Sequence, residues 1–191
     1  MRKIDNIASD MIPIRLIISI AVIAAMVIMI SVGYNNLSVV LAKNQVENEC
    51  RTLESKLYTM ISSGIARNVD EINSCEGTKR TNTFNLPDTL IFLAFGVDPD
   101  PNNDGILETG LTCNGSVIFY KVMGDNKQVI WLPDEGFRFR EGELADDKWI
   151  INDGEQGFIS SNGGKTTLTF ELVQKNHEIY ILIQGNDGIE L

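Results

Sequence analysis

The segment Val97-Asp98-Pro99-Asp100-Pro101-Asn102-Asn103-Asp104-Gly105-Ile106-Leu107-Glu108 comes nearest, in residue types and spacing, to doing chemistry. Oxygen-bearing side chains at Asp100, Asn102 and Asp104 fall on alternate positions and Gly105 follows them. Ile106 offers a carbonyl and Glu108 stands at the ninth place, which is how a short loop wraps Ca2+. Asp98 can add a carboxylate. The twelfth place is Leu111 rather than a bidentate glutamate and no helix pair flanks the segment, so the pattern is not that of an EF-hand. The expectation is a structural Ca2+ held by Asp98, Asp100, Asn102, Asp104, Ile106 and Glu108, stiffening a surface loop. A solvated acidic turn has the same composition and is the alternative.

Other chemistry is thin. His177 is the single histidine, which leaves no zinc triad, and it falls at the tip of an expected hairpin. No Gly-x-Ser-x-Gly or phosphate loop occurs, and Gly163-Gly164-Lys165-Thr166 lacks the upstream glycine of a nucleotide loop. Asp134, Glu135, Glu141, Glu143, Asp146 and Asp147 read as a solvated, loop-like acidic face rather than a catalytic carboxylate pair. Trp131 and Trp149 read as core anchors. No enzymatic activity is expected.

Cys50, Cys75 and Cys113 contain no Cys-x-x-Cys pair. In an oxidising compartment the simple arrangement is a Cys75–Cys113 disulfide between turn-like segments, with Cys50 spare inside a helical pattern; three free thiols are the alternative. Asn36-Leu37-Ser38 and Asn114-Gly115-Ser116 are glycosylation sequons, Asn114 the more accessible. The formal net charge of -10 argues against nucleic acid or anionic lipid as a partner of the polar part of the chain.

The elements that must position these residues begin with a greasy rod. Leu16–Val32 has no charge, Gly or Pro, and its only polar side chains, Ser19 and Ser31, can be satisfied by helix carbonyls. With shoulders at Met11–Ile14 and Leu37–Ala42 it exceeds the roughly 20 residues a bilayer core demands. A signal peptide is the competing reading, but the run is longer than the usual core of about 7–15 residues and Ser31-Val32-Gly33-Tyr34-Asn35 is a poor cleavage site. Arg2, Lys3 and Arg15 precede the run, so the N-terminus is expected in the cytoplasm and the C-terminal part outside the cell.

Past Gly33, a candidate kink costing about 1 kcal/mol relative to Ala, the helix is expected to continue. Val39, Val46, Cys50, Leu53, Leu57, Met60 and Gly64 recur in steps of three and four after Val46. They form one stripe while Lys43, Glu47, Glu49, Arg51, Glu54 and Lys56 take the other faces. The stripe is expected to pack on the chain's own outer domain. From Asn82 the period becomes two. Strands are expected at Thr89–Phe95, Ser116–Val122, Gln128–Leu132, Thr166–Val173 and Glu178–Gln184, with hairpins at Gly124-Asp125-Asn126 and Lys175-Asn176-His177. The fold class is α+β, a long N-terminal helix (transmembrane half plus amphipathic stalk) packed on a small antiparallel β-sheet domain. Its expected parts are a leader at 1–10, a transmembrane helix at 11–42, a stalk at 43–75 and a β domain at 76–191.

A short basic start, an apolar helix running on as a stalk and a C-terminal β domain resemble the type IV pilin-like proteins, especially their archaeal members. The resemblance is architectural over the whole chain, and its sequence signal lies in about the first 42 residues. It implies trimming by a prepilin-type peptidase between Ile7 and Met11 and bundling of Met11–Ala42 helices, with copies of itself or other pilin-like subunits, into a filament or pseudopilus. Arg15 stands where bacterial pilins usually have glutamate if cleavage precedes Met11, and Asp10 departs from the usual junction. A single-pass membrane-anchored binding module that does not polymerise is the alternative function.

Overall fold

The computed structural model describes residues 7–71, 74–108, 111, 115–132, 136–145, 148–151, 156–161 and 163–185, with side chains from Ile14 onward except Asn35 and Gly185. One helix, α1 (Ile7–Ser63), precedes ten strands: β1 (Arg67–Asn68), β2 (Lys79–Leu86), β3 (Leu90–Phe95), β4 (Val117–Val122), β5 (Gln128–Trp131), β6 (Phe137–Ala145), β7 (Lys148–Ile151), β8 (Phe158–Ser160), β9 (Gly164–Lys175) and β10 (Glu178–Gly185). Two compact units divide the chain, Met1–Val40 and Leu41–Leu191.

In the first unit every described side chain from Ile14 to Val32 is exposed, as expected of a helix apolar on all sides. Ser19 donates its hydroxyl to the Arg15 carbonyl at 2.9 Å, so this polar side chain is satisfied by its own helix. The helix is unbroken through Gly33.

In the second unit the stripe behaves as its spacing requires. Ala42, Val46, Cys50, Leu53, Leu57 and Met60 are buried. Each full burial of an aliphatic side chain contributes about 1.5–3 kcal/mol, enough for the stripe to fix the stalk without help from helix propensity. Polar contacts set its position. Gln45 Nε2 donates to the Asn85 carbonyl at 2.6 Å, the Asn85 N–H donates to Glu49 Oε1 at 3.2 Å, and Lys56 Nζ donates to Asn82 Oδ1 at 2.6 Å. Lys43 pairs with Asp125 at 3.2 Å. This part of α1 therefore lies along β2 and reaches the β4–β5 turn. Burial, followed by the Glu49 charge, pushes the Cys50 thiol up to about 12, so it is an inert core thiol.

The stalk ends at Ser63, earlier than the expected residue 75. The Gly64 N–H closes the last turn on the Met60 carbonyl at 2.8 Å, and a Cβ at this glycine would lie 2.2 Å from that oxygen. Only glycine allows the approach.

The strands form two sheets. The larger runs β1-β9-β10-β6-β7 with β2 also paired to β9; the smaller runs β5-β4-β3-β8. Both expected hairpins are present: β4 pairs with β5 and β9 with β10, each antiparallel. The sheets are not wholly antiparallel, because β1 pairs parallel to β9 and β6 parallel to β10. The sheets face each other through aromatic rings. Phe95 of β3 sits 5.5 Å from Phe139 of β6, 5.8 Å from Phe170 of β9 and 6.2 Å from Phe84 of β2, all tilted or edge-on. On its other face the larger sheet carries a second small core of Ile151, Val173, Tyr180 and Leu182, with Trp149 and Val69 against it.

The β9–β10 turn places Asn176 at φ 50° and His177 at φ 69°. Two successive left-handed residues make the turn that matches the twist of a two-residue hairpin. Histidine is strained in that region by about 1–2 kcal/mol relative to glycine. His177→Gly is therefore expected to raise the unfolding free energy by up to about 1 kcal/mol, after the larger entropy of the unfolded glycine chain is subtracted. Denaturant titration checks this, and a loss of stability would contradict it.

Candidate functional site

The calcium-like segment lies between β3 and β4 and covers the outer face of the smaller sheet. Phe92 and Ala94 of β3 and Val97 are buried there, with Leu107, Leu111, Phe119 and Ile159 packed against them. The segment turns on itself through Asn103 at φ 58° and Gly105 at φ +83°, the latter a left-handed position suited to glycine. The Glu108 N–H donates to the Pro99 carbonyl at 2.8 Å and closes its base.

Its oxygens are already engaged. Asp98 Oδ1 accepts the Asp100 N–H at 3.1 Å and Asp98 Oδ2 accepts Lys127 Nζ at 2.6 Å. Asp100 Oδ1 accepts the Gly105 N–H at 3.3 Å, Asp100 Oδ2 accepts Lys121 Nζ at 3.3 Å, and the Asp100 carbonyl accepts Lys127 Nζ at 2.6 Å. Asn102 and Asp104 bond each other: Asn102 Nδ2 donates to Asp104 Oδ2 at 3.0 Å and the Asp104 N–H to Asn102 Oδ1 at 3.2 Å. The Ile106 N–H donates to Asp104 Oδ1 at 2.7 Å, and the Ile106 and Glu108 side chains are exposed. Burial alone would raise the Asp100 carboxyl. The Gly105 N–H and the Lys121 and Lys127 ammonium groups outweigh it and hold the group below the usual carboxylate range.

This donor set does not fit a divalent cation as it stands. Two ammonium groups sit on the carboxylates that would have to bind first, and Asn102 and Asp104 are turned to each other. Among the described residues no group of three or more His, Cys, Asp or Glu side chains converges in a way that could hold a metal. Sequence reasoning missed Lys121 and Lys127. The signal for Lys121 was a lone charge inside the apolar strand Val117–Val122, which marks a place where the sheet must meet an anion.

The remaining expected site residues are scattered. Cys75 is exposed; Cys113, the other half of the expected bridge, like Asn114 of the glycosylation sequon, lies outside the described residues. His177 is an exposed turn residue beside a shallow cleft lined by Arg138, Glu178 and Ile179. Tyr180 donates its hydroxyl to Glu178 at 2.6 Å and, with Arg138 beside it, holds the Glu178 carboxyl low. The acidic stretch is not all loop. Glu141 and Glu143 lie in β6, where burial and then the Glu143 charge raise the Glu141 carboxyl, while Asp134, Glu135, Asp146 and Asp147 lie outside the described residues.

Trp131 is a correction. It is 74 % exposed rather than a core anchor, because β5 is an edge strand whose Ile130 faces inward and so turns Trp131 out. Trp149 is half-buried against the second small core.

A second cleft, between β1 and β7, is lined by Arg67, Glu71, Glu76, Lys148 and Trp149 above the buried pair Arg67–Glu171. Sequence reasoning missed this pair, whose members are 104 positions apart.

The other distinctive surface is the exposed apolar helix of the first unit. Ile14–Ser63 is the one helix among the described residues long and apolar enough to cross a membrane, and none of its apolar window is buried. A long apolar N-terminal helix followed by a β domain is compatible with a pilin-like fold. Comparison with protein-family models, with curated proteins and with solved structures finds no match to this chain.

Proposed function

We propose that this chain is a non-enzymatic, single-pass surface protein of pilin-like build. Its α1 helix lodges in the membrane with the N-terminus in the cytoplasm and associates with helices of like subunits, and its β domain is displayed outside the cell. The carrying observation is the contrast within α1. From Ile14 to Val32 every described side chain is exposed and nearly all are apolar, whereas from Ala42 to Met60 one stripe is buried. A helix that needed only to brace the domain would end its apolar surface where the domain ends. Lipid and neighbouring helices are the two environments that cover such a surface, and close approach at Ala21, Ala24, Ala25 and Gly33 is what helix association in lipid relies on.

Fractionation tests the proposal. Cells expressing the full chain are sheared, and filaments, membranes and cytosol are probed separately. Recovery from membranes and from sheared filaments is the expected result. Recovery from membranes alone would leave a tethered module and remove polymerisation; recovery from detergent-free cytosol would remove the anchor as well.

A further inference from the structure

We propose that the segment Val97–Glu108 is a strap locked over the smaller sheet by the Lys121 and Lys127 ammonium groups, which do the work a divalent cation does in loops of this spacing, so that the strap closes without metal. Three observations carry this. The four carboxylate oxygens of Asp98 and Asp100 each have a donor: two backbone N–H groups of the strap itself and two ammonium groups from outside it. The donors from outside arrive from separate places, Lys121 from β4 and Lys127 from the β4–β5 turn, so together they tie the strap to the strand pair beneath it. The carboxylates of Asp98 and Asp100 are thus each matched by an ammonium group.

Lys127 is the closer substitute for a cation, because its ammonium group bridges a side-chain oxygen of Asp98 and the backbone oxygen of Asp100, both at 2.6 Å. A metal in such a loop gathers the same mixture of carboxylate and carbonyl oxygens. The lysine side chain is only 13 % exposed, so its pairing is screened less than a surface ion pair. What the lock protects is apolar: Phe92 and Ala94 are fully buried under the strap, and opening it would wet them.

Amide hydrogen exchange of the full chain in detergent micelles, read on peptides covering 97–108 and β3, tests the lock in EDTA and in millimolar Ca2+. In the unaltered protein exchange should be the same in both. In Lys127→Met it should be at least about tenfold faster over 97–108, since two hydrogen bonds from a charged donor are lost. Asp98→Asn keeps the shape and the bond to the Asp100 N–H while removing the charge, so it serves if the lysine variant fails to fold; at least about threefold faster exchange is expected. Protection that depends on Ca2+ in the unaltered protein would overturn the proposal. So would unchanged exchange in either variant.

Discussion

Glu171→Ala is expected to lower the unfolding free energy of the β domain by about 3–5 kcal/mol, the cost of leaving a buried charge without its partner. The Glu171 side chain is 2 % exposed and that of Arg67 10 %. Glu171 Oε1 accepts Arg67 Nε at 2.7 Å and the Gly77 N–H at 3.1 Å; its Oε2 accepts Arg67 Nη2 at 3.2 Å and Gln184 Nε2 at 3.0 Å. The same Arg67 Nη2 donates to the Trp149 carbonyl at 2.6 Å. One carboxylate thus ties β1, β10 and the segment before β2 to β9, and its arginine reaches β7. Alanine removes four hydrogen bonds and strands the guanidinium under Trp149. At about 2–4 °C per kcal/mol for a domain of this size, the melting point should fall by roughly 6–20 °C. Thermal melts of the full chain in micelles measure it. The paired variant Arg67→Met with Glu171→Met should recover only part of the loss, because it removes the stranded charge but still leaves the Gly77 N–H, the Gln184 amide and the Trp149 carbonyl without these partners. A loss below about 1 kcal/mol for Glu171→Ala would show that water reaches the pair.

That pair also marks where the sequence stops being legible. The stalk was readable because its signal is local: Val46, Cys50, Leu53, Leu57 and Met60 repeat within one helix, and burial followed the period. The β9–β10 hairpin was readable for the same reason, since Thr167–Leu172 alternates strictly and its partner follows after a short turn. Parallel pairing of β6 with β10 joins strands far apart in the chain, and nothing in Phe137–Ala145 announces it. That strand also carries Glu141 and Glu143, whose charge suggested a loop, but in a half-covered strand alternate positions reach water and tolerate it. Trp131 misled in the other direction. Its size predicted a core place, while the edge position of β5 and the inward Ile130 decided otherwise. At the strap, the Asp and Asn spacing was visible and the lysines that satisfy it were not, because Lys121 and Lys127 come from the next hairpin.

On the proposed function, substitutions near the middle of Leu16–Val32 should separate membrane insertion from assembly. Ala24 lies about halfway along Leu16–Val32 and is exposed on the helix. Ala24→Arg places a permanent charge near the bilayer centre, at a cost of about 2.5–3.5 kcal/mol on the insertion scale, which is roughly a hundredfold in the insertion equilibrium. The full chain should then leave the membrane fraction and appear as aggregate or degraded material. Ala24→Leu combined with Ala25→Leu acts oppositely on the first step, because leucine favours insertion by a few tenths of a kcal/mol per residue. It acts on the second step through bulk, since helices that approach at alanine cannot close over leucine. Membrane recovery should be undiminished while material in sheared filaments falls at least about tenfold. If the leucine pair leaves filament yield unchanged, subunits do not meet at this face. If the arginine variant still fractionates with membranes at the original level, the helix reaches them without crossing the hydrocarbon.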